Sequence, residues 1–596
     1  MSYETALRVE QSVSKKRWCI RPFQERLALA LAQAFGLPDA LGRLLAARGV
    51  SLEQADDFLN PTLRQGLPDP SHLLDMDTAV GRIVKAIQSG EQVAIFGDYD
   101  VDGATSSALL WRFLRQVGGK VQTYIPDRIE EGYGPNREAF AKLQSQGVKV
   151  IITVDCGTSA HEVLGESKQN GLEVIVIDHH IGPVKLPDTV ALVNPNRLDE
   201  SSPFTYLAAV GVSFLLAVGI NRALRKAGWY ETRPEPDLRR LLDLVALGTV
   251  CDVMPLKDLN RVFVHQGLKI LSQRQNLGLK TLADVAGIRE RPTAYHLGFV
   301  LGPRINAGGR VGEANLGTRL LCSEDPQEAT QIAQRLHHFN EKRKEIEESV
   351  LAEAIRQAEL QKDAAILMVS GNNWHPGVIG IVAGRLKEKF NRPACVISQD
   401  EQGLGKASGR SITGVDLGTM VQAAVEKGLL VAGGGHAMAA GFTVRMEKFS
   451  ALCEFFAQRL NKTVMDAPQE FMLDGVLTPQ AATLKWVLSL ERLGPFGIGN
   501  PTPRFGFGRM RIIKADLVGT DHVRCQLADF AGKRLSGIAF RSADTELGQF
   551  LLNSNGAVCH VAGTLRINSW QGRDSVQLTI EDVAPERVDA DLPLSA

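Results

Sequence analysis

Three carboxylates at alternate positions follow directly on a short apolar run, and no other feature limits the fold of this chain as strongly. The apolar run is residues 93–96, and the carboxylates belong to Asp98, Asp100 and Asp102. Alternate residues of an extended segment point to the same side, so these like charges repel one another unless a cation lies among them. A solvated acidic turn is the alternative interpretation, and it weakens because similar polar clusters recur downstream.

Residues 75–260 alternate short apolar runs with helical patterns. Predicted strands rich in Val and Ile cover residues 93–96, 121–125, 148–154 and 174–177. Strands that are apolar throughout are typical of a parallel sheet that helices bury on both faces. An open sheet of this kind binds its ligand beyond the carboxyl ends of its strands. The sequence therefore predicts an α/β domain whose functional groups lie at one edge of the sheet.

Acidic and imidazole side chains occur at the predicted strand ends. Asp155 follows the third strand, Asp178, His179 and His180 follow the fourth, and Asp252 ends an apolar helical run. Each has a plainer role when taken alone, since Asp155 could cap a helix and the histidines could form a polar turn. Their joint occurrence at the ends of separate strands favours one common site.

The types of ligand in this set indicate a hard or borderline divalent cation. Carboxylates with one imidazole suit Mn²⁺ or Mg²⁺ better than zinc, which favours thiolates. Five or more carboxylates exceed the needs of one ion, whereas two ions about 3.5–4 Å apart would use them all. Such a pair activates a water molecule for in-line displacement at phosphorus. The residues therefore predict hydrolysis of a phosphoester or a phosphoanhydride.

The same motifs resemble those of the DHH phosphoesterase superfamily. The resemblance rests on Asp178-His179-His180, residues 97–103, residues 154–157 and Asp252. Three further motifs are similar to those of the bacterial 5′-to-3′ exonucleases of that superfamily that are specific for single-stranded DNA. These motifs are residues 301–310, 374–383 and 494–501. One departure is Phe96, where some members carry a histidine ligand, so the ligand set of one metal stays open.

The resemblance implies a role for each site residue. Two Mn²⁺ or Mg²⁺ ions per active site would be held by six residues, namely Asp98, Asp100, Asp102, Asp155, His179 and Asp252. Asp155 would bridge the two ions, and Asp98 either binds an ion or supports the residues that do. His180 would donate to the scissile phosphate. Arg304 and Arg310 would contact phosphate, for which a guanidinium group is well suited.

A second set of residues is expected to face the substrate. Residues 364–465 are predicted to form a second α/β domain, similar to the DHH-associated (DHHA1) domain. Glycines there let main-chain N–H groups approach an anion, and Ser, Arg and His add donors. The expected substrate-binding residues are Arg128, Ser408, Arg410, Gly434, Gly435 and His436. A flexible loop is the alternative interpretation of the glycine run.

The predicted fold class is a multidomain α/β protein with a parallel-sheet DHH domain, a long connecting helix, a DHHA1 domain and a C-terminal OB-fold-like β-barrel. The long helix begins after Asp325, and an irregular glycine-rich segment carrying Arg304 and Arg310 precedes it. Five short strands with turn signals predict the barrel. The predicted boundaries are 1–74 for an N-terminal helical segment, 75–260 for DHH, 261–363 for the linker, 364–465 for DHHA1 and 466–596 for the barrel.

Composition excludes several other classes of protein. The 596 residues include 67 basic and 67 acidic side chains, a balance that neither indicates nor excludes a nucleic-acid binder. No apolar run approaches the roughly 20 residues that span a bilayer, so no membrane association is expected. The eight cysteines form no CxxC pair, which argues against a zinc ribbon, and a reducing cytoplasm is the expected location.

The resemblance implies a metal-dependent exonuclease that degrades single-stranded DNA from its 5′ end to 5′-mononucleotides, in DNA repair and recombination. Single-stranded DNA is the expected partner, a single-strand-binding protein and a helicase are candidate partners, and a monomer is expected. Two alternatives stay open. One is a phosphodiesterase or pyrophosphatase acting on small substrates or oligoribonucleotides, and the other is a non-catalytic DHH scaffold that only binds single strands.

Aromatic residues of the barrel, among them Phe505, Phe507, Phe530, Phe540 and Trp570, could include stacking platforms for bases.

Overall fold

The computed structural model describes residues 3–128, 130–361, 363–460, 469–570 and 573–586. The chain divides into two compact units. The first, here called the barrel unit, comprises Met1–Gly66, Pro255–Val262 and Pro468–Ala596. The second, here called the α/β unit, comprises Leu67–Met254 and Phe263–Ala467. No helix within the described ranges is long and apolar enough to cross a membrane.

The first sheet of the α/β unit is entirely parallel, as predicted. Its strands, in spatial order, are Lys120–Tyr124, Gln92–Gly97, Val148–Val154, Glu173–Ile177 and Ala191–Val193. The middle strands are buried almost throughout, which explains their uninterrupted Val and Ile content. Six helices accompany this sheet, namely Met76–Ser89, Val101–Gln116, Arg137–Ser145, His161–Gln169, Ala209–Lys226 and Leu242–Cys251. The short fifth strand was not predicted.

The glycine-rich segment that carries Arg304 and Arg310 is helical, so the prediction of an irregular segment is wrong. It forms the helix Gly302–Val311, with Pro303 in its first turn, where proline is tolerated. A Cβ atom on Gly309 would lie 3.0 Å from the main-chain oxygen of Tyr99. The glycines therefore serve close packing of this helix rather than unusual backbone angles.

Further helices connect the two halves of the α/β unit. They are Leu277–Val285, Leu316–Cys322, Pro326–Glu359 and the part of Asp258–Ser272 that belongs to this unit. The 34-residue helix Pro326–Glu359 begins as predicted, because the Asp325 side chain accepts a hydrogen bond from Gln327 N. The predicted long connecting helix is confirmed.

The second sheet of the α/β unit is mixed. Its strand order is Ala432–His436, Ala439–Arg445, Leu404–Arg410, Ala394–Gln399 and Leu367–Asn372, with only the last two strands parallel to each other. The helices Ile379–Phe390, Leu417–Glu426 and Phe449–Arg459 accompany it. The alternative interpretation of Gly434 and Gly435 as a flexible loop is wrong, because Gly434 pairs with Gly441 of the neighbouring strand and the segment is an edge strand.

The barrel unit contains a closed five-stranded barrel, as predicted. The barrel strands are Arg504–Val518, His522–Ala528, Arg534–Ala539, Arg573–Pro585 and Val558–Trp570. Pairing between the first and last of these in spatial order closes the barrel, so no long edge remains exposed. The short strand Gly475–Leu477 and the helices Leu484–Leu490 and Glu546–Asn553 complete this part.

The N-terminal segment belongs to the same unit as the barrel. Its helices Glu25–Ala34, Asp39–Ala47 and Ala55–Leu59 share one hydrophobic core with barrel residues. Its strand Lys16–Ile20 also pairs in parallel with Gln469–Leu473. No sequence pattern indicated this association. The predicted five-part division of the chain stays a prediction, and its boundary at residues 465 and 466 lies outside the described residues.

We expect the substitution Leu41→Ala to lower the free energy of unfolding by about 2–5 kcal/mol, because Leu41 is fully buried in this shared core. Urea denaturation followed by circular dichroism measures the change. Leu29→Ala is the matched control, since Leu29 lies in the same N-terminal segment but is 52% exposed. Equal, small effects of the two substitutions would contradict a common core.

Candidate active site

The parallel sheet brings the predicted site residues to one edge. Asp98 follows the strand Gln92–Gly97 and Asp155 follows Val148–Val154. Asp178, His179 and His180 follow the next strand along the sheet, and Asp252 is the C-cap of the helix Leu242–Cys251. Because parallel strands end at the same edge, side chains from distant parts of the sequence meet there.

Three overlapping groups of side chains could each hold a metal ion, with all donor atoms of a group within 4.8 Å of one another. The groups are Asp98, Asp100 and Asp155, then Asp155, His179 and His180, and finally Asp102, His179 and Asp252. Asp155 and His179 each belong to two groups. The structure therefore brings all six predicted metal ligands together, and it adds His180 as a possible donor.

His179 lies at the centre of the carboxylates. Its Nε2 atom is 3.3 Å from Asp155 Oδ1 and 3.5 Å from Asp252 Oδ2. Burial, followed by the charge of His180, lowers the pKa of His179 to about 4, so the imidazole is neutral at pH 7. The buried Nε2 atom has no hydrogen-bond partner within the described part of the chain. A neutral ring nitrogen facing several carboxylates is suited to bind a cation.

The carboxylates repel one another, and the nearby positive charges of His180 and Arg128 offset this repulsion only in part. Burial, followed by the charge of Asp100, raises the pKa of Asp98 to about 8. Burial, followed by the charges of Asp102 and Asp100, raises the pKa of Asp252 to about 9. Asp98 Oδ1 and Asp252 Oδ2 are buried without a hydrogen-bond partner among the described residues. A bound divalent cation would relieve both the repulsion and the missing contacts, so the residues fit such an ion.

Two of the predicted ligands also hold the local backbone. Asp100 Oδ1 accepts hydrogen bonds from the main-chain nitrogens of Asp102 and Gly103, and Asp100 is the N-cap of the helix Val101–Gln116. The two carboxylate oxygens of Asp102 accept hydrogen bonds from Ala209 N at 2.7 Å and Val210 N at 2.9 Å. These bonds fix the direction in which both carboxylates face the other acidic groups.

His180 differs from His179 in its charge. Its Nδ1 atom lies 2.8 Å from Asp178 Oδ1. Burial acts to lower the pKa of His180, but the hydrogen bond and charge of Asp178 outweigh it and raise the pKa to about 9. The imidazole is therefore protonated at neutral pH. A cation at this place can donate a hydrogen bond to an anionic substrate.

Two asparagines that were not predicted hold the Asp-His-His turn in place. Asn194 Nδ2 donates to the main-chain oxygen of His180 at 2.8 Å, and Asn196 Nδ2 donates to that of His179 at 2.6 Å. Both asparagines follow the short strand Ala191–Val193. The rule that functional groups follow parallel strands would have identified them if that strand had been predicted.

Tyr133 was also missed, and no sequence signal identifies it. Its hydroxyl donates to the main-chain oxygen of Asp155 at 3.2 Å, and its ring lies 6.2 Å from that of His180. Asp155 has a φ angle of +61°, which is uncommon for a residue with a side chain. The Tyr133 contact helps to hold Asp155 in this conformation.

Phe96, the expected departure from the family pattern, offers no ligand atom. Its ring is fully buried, stacks on Tyr124 and meets Phe140 edge to face, each with a centroid distance of 5.5 Å. The position therefore belongs to the hydrophobic core, and the acidic and imidazole residues above form the site without it.

Ser408 and Arg410 form a second polar site in the α/β unit. Arg410 Nη1 donates to Ser408 Oγ at 3.2 Å. A Cβ atom on Gly380 would lie 3.0 Å from Ser408 Oγ and 3.2 Å from Arg410 Nη2, so both side chains lie against the first turn of the helix Ile379–Phe390. The N-cap of that helix, Val378, gives no side-chain hydrogen bond. Free main-chain N–H groups beside a guanidinium and a hydroxyl suit an anion.

Arg310 adds to this positive region. Its Nη1 atom donates to the main-chain oxygen of Gly377 at 2.9 Å. Burial, followed by the charges of Arg128 and Arg343, lowers the pKa of Arg310 to about 10, and Arg410 acts in the same direction. The structure thus brings together Arg128, Arg310, Ser408 and Arg410, here called the phosphate pocket. An anion would relieve the repulsion among its guanidinium groups.

The other predicted substrate residues lie elsewhere. Arg304 is bonded within the protein, through Nη1 to the main-chain oxygen of Val300 and through Nε to His337 Nδ1. Gly434, Gly435 and His436 lie on the exposed edge strand Ala432–His436. Gly434 is opposite Gly441, which is opposite Ser408, so two strand spacings of about 5 Å each separate it from the phosphate pocket.

The aromatic residues of the barrel divide into two groups. Phe505 and Phe507 are buried in the core. Phe530 and Phe540 are exposed, and arginines lie over both rings, with Arg509 4.9 Å from the centroid of Phe530. The side chain of Trp570 lies outside the described residues. Only the exposed rings can offer a face to a base.

Comparisons with known proteins identify three domains in this chain. Residues 92–249 match the N-terminal domain of the DHH family, residues 361–462 match the DHHA1 domain, and residues 473–582 match the RecJ OB domain. The chain is 37% identical to the single-stranded-DNA-specific exonuclease RecJ of Dickeya dadantii, over 92% of this chain and 96% of that protein. It is 36% identical to RecJ of Escherichia coli at the same two coverages.

Two solved structures of RecJ are also similar to this chain. The crystal structure of RecJ from Thermus thermophilus in complex with Mn²⁺ matches with a TM-score of 0.79 at 29% identity, covering 96% of this chain and 80% of that chain. The corresponding complex with Mg²⁺ matches with a TM-score of 0.73 at 28% identity, over 96% and 79% of the two chains.

The parallel sheet with its clustered carboxylates and Asp-His-His turn defines a phosphoesterase of the DHH superfamily. The DHHA1 and OB domains narrow this class further, as do relatives that align over nearly the whole chain. The chain belongs to the RecJ family.

Proposed function

We propose that this chain is a metal-dependent exonuclease that degrades single-stranded DNA from the 5′ end and releases 5′-mononucleotides, in DNA repair and recombination. The observation that carries the proposal is the gathering of five carboxylates and His179 at one sheet edge of the unit that also contains the phosphate pocket. The relatives described as single-stranded-DNA-specific exonucleases support the choice of substrate.

Two Mn²⁺ or Mg²⁺ ions are the proposed cofactors, as the metal-bound Thermus thermophilus structures suggest. Asp98, Asp100 and Asp155 would hold one ion, and Asp102, His179 and Asp252 would take part in holding the other. Asp155 would contact both ions. It belongs to the first group of residues, and its Oδ1 atom also lies 3.3 Å from Nε2 of His179, which belongs to the second group. When bound, the ions would make an attacking water more acidic and neutralise charge on the phosphoryl oxygens.

The side chains of the protein position the scissile phosphate. Protonated His180, held by Asp178, would donate to a non-bridging oxygen and stabilise charge that develops there. The oxygen of water bonds to phosphorus, and the bond from phosphorus to the 3′ oxygen of the terminal nucleotide breaks. That oxygen leaves with a proton, so the mononucleotide keeps its own 5′-phosphate and the shortened strand carries a new one.

The phosphate pocket would select the 5′ end. A terminal phosphate carries more charge than an internal diester, and Ser408 and Arg410 offer donors for it beside the first turn of the helix Ile379–Phe390. Arg128, whose charge acts on Arg310, would add a further donor. Arg310 would contact the same or the next phosphate. We also assign Arg304 to phosphate contact, and Gly434, Gly435 and His436 to the substrate strand, although none of these four lies in the pocket.

The cellular setting is part of the proposal. We propose a cytoplasmic monomer that acts on single-stranded DNA together with a single-strand-binding protein and a helicase. All eight cysteines are free, which suits a reducing compartment.

One assay separates the proposed activity from its alternatives. The purified protein is incubated with Mn²⁺ and end-labelled single-stranded DNA, single-stranded RNA or pyrophosphate. We expect mononucleotides from the 5′ end of the DNA. Faster hydrolysis of RNA or pyrophosphate would favour a small-substrate enzyme, and binding of DNA without hydrolysis would favour a non-catalytic scaffold.

The two histidines should respond differently to substitution. We expect His179→Gln to raise the Mn²⁺ concentration that gives half-maximal activity, because a ligand is lost. We expect His180→Gln to lower the rate about 100-fold at saturating Mn²⁺ while leaving that concentration nearly unchanged, because a donor to the transition state is lost. Mn²⁺ titrations of both variants measure the difference. A shift of the same size in both titrations would make His180 a metal ligand as well.

A further inference from the structure

Two aromatic rings lie exposed on the α/β unit outside the site described above. Tyr295 is 62% exposed and Phe299 is 72% exposed, and their rings stack with centroids 5.2 Å apart and an interplanar angle of 24°. Phe299 belongs to the π-helical turn His296–Leu301, a type of turn that is frequent at functional sites. Contiguous exposed apolar surface of this kind marks sites of interaction with a partner.

The surroundings of this pair are positively charged. Residues 263–301 contain five Lys or Arg and two Asp or Glu. Both acidic side chains are engaged, since Asp284 pairs with Arg274 and Glu290 lies 2.9 Å from His296 Nε2. Four cations have no carboxylate within 4.0 Å in the part of the chain that the structure describes, namely Lys269, Lys280, Arg289 and Arg291.

A surface cavity of about 250 Å³ adjoins the same segment. Leu279 and Leu301 are among the apolar residues that line it, and Lys280, Arg289 and Arg291 are among the charged ones. The partner of this surface must therefore carry negative charge and also present flat apolar faces. A single-stranded nucleic acid has both properties, because its phosphates suit the cations and its bases stack on aromatic rings.

We propose that Tyr295, Phe299, Lys280, Arg289 and Arg291 form a second binding site for single-stranded DNA on the α/β unit, here called the auxiliary site. The site rests on the proposed exonuclease function and extends it, because it holds a part of the strand that is not being cut. The π-helical turn continues directly into the helix Gly302–Val311, so eleven residues and about 16 Å of helix separate Phe299 from Arg310 in the phosphate pocket. A long strand can reach both sites, whereas a very short one cannot.

Steady-state kinetics in Mn²⁺ test the auxiliary site with the full-length protein. The substrates are 5′-phosphorylated oligo(dT) of 40 nucleotides and the 5′-phosphorylated dinucleotide, which is too short to reach from the phosphate pocket to the auxiliary site. We expect the double variant Tyr295→Ala/Phe299→Ala to raise KM for the 40-mer about tenfold, since each stacked base adds appreciable affinity. We expect kcat for the 40-mer, and both constants for the dinucleotide, to stay unchanged. The variant Arg289→Glu/Arg291→Glu should raise KM for the 40-mer and reduce its dependence on salt.

Matched variants separate the role of the site from general effects. Leu360→Ala removes another highly exposed apolar side chain, and Lys185→Glu reverses another exposed cation, so neither should change KM. The conservative double variant Tyr295→Phe/Phe299→Tyr should keep the wild-type KM, because it keeps both rings. An unchanged KM for the 40-mer in the alanine variant, or an equal change for the dinucleotide, would overturn the proposal.

Two further outcomes have a definite meaning. A change in the sedimentation coefficient of the alanine variant would overturn the proposal, because the rings would then belong to a contact between copies of this chain. Failure of the wild-type protein to hydrolyse either oligonucleotide would contradict the proposed exonuclease function itself. That result differs from an active wild-type enzyme whose KM does not respond to the auxiliary site.

Discussion

The variant Asp155→Asn is expected to lose hydrolysis by at least about 1000-fold, because Asp155 is the carboxylate that we propose contacts both metal ions. Asparagine is the appropriate replacement. Its side chain has the same shape, and it tolerates the left-handed conformation that Asp155 adopts with φ of +61°. Initial rates on 5′-phosphorylated single-stranded DNA, measured over a range of Mn²⁺ concentrations, give the size of the loss.

The same variant should also differ from the wild type in its stability and in how Mn²⁺ changes that stability. Burial, followed by the charges of Asp100 and Asp102, holds the pKa of Asp155 well above its ordinary value, so an ionised Asp155 destabilises the metal-free protein. We expect metal-free Asp155→Asn to be more stable than the wild type by about 1 kcal/mol or more at pH 8. Mn²⁺ should raise the melting temperature of the wild type and have little effect on the variant.

The control for this experiment is Asp188→Asn. Asp188 is an exposed aspartate of the same unit that pairs with Lys168. Its replacement should change neither the rate nor the response to Mn²⁺. An Asp155→Asn enzyme that keeps a rate within about tenfold of the wild type would show that the ions, if two are bound, do not share this residue.

The first sheet and its site could be predicted because one rule governs both. Buried parallel strands read as continuous runs of Val and Ile, and their carboxyl ends meet at one edge. Asp98, Asp155 and His179 could therefore be placed together from their positions in the sequence alone. The fifth strand, Ala191–Val193, is only three residues long and was too short to show the pattern, and the two asparagines that follow it were missed with it.

The contacts that join distant parts of the chain could not be predicted. The helix Gly302–Val311 is rich in glycine because other backbone lies against it, and a sequence does not reveal what approaches a glycine. The N-terminal helices likewise show an ordinary amphipathic pattern, which indicates that they bury one face but not that barrel residues cover it. The phosphate pocket is a third case, since Arg128, Arg310 and Arg410 come from three separate segments whose packing brings them together.

The second large effect on activity is expected from a substitution in the phosphate pocket. Arg410→Ala should slow release of the first nucleotide from a 5′-phosphorylated strand about 10- to 100-fold, because a charge-assisted hydrogen bond to the terminal phosphate is lost. The same substitution should slow release from a 5′-hydroxyl strand by less than about threefold, since that strand has no phosphate for the pocket to hold.

The measurement must follow the first cut alone. Each cut leaves a new 5′-phosphate on the shortened strand, so later cuts on the two substrates are identical and would hide the difference. Single-turnover release of a labelled terminal nucleotide, with enzyme in excess over matched oligonucleotides, isolates the first cut. For the wild type we expect the 5′-hydroxyl strand to show a slow first step followed by normal degradation.

Arg445→Ala is the matched control for Arg410→Ala. Arg445 is an exposed arginine on the neighbouring strand, and it is opposite Leu404, at the other end of the strand that carries Arg410. Six residues of extended chain, or about 20 Å, separate Leu404 from Arg410. The control should release the first nucleotide from both substrates at the wild-type rate. If Arg410→Ala slowed release of the first nucleotide equally for both substrates, Arg410 would contact the strand without distinguishing its terminal phosphate. Selection of the 5′ end would then depend on Arg128 or Arg310 instead.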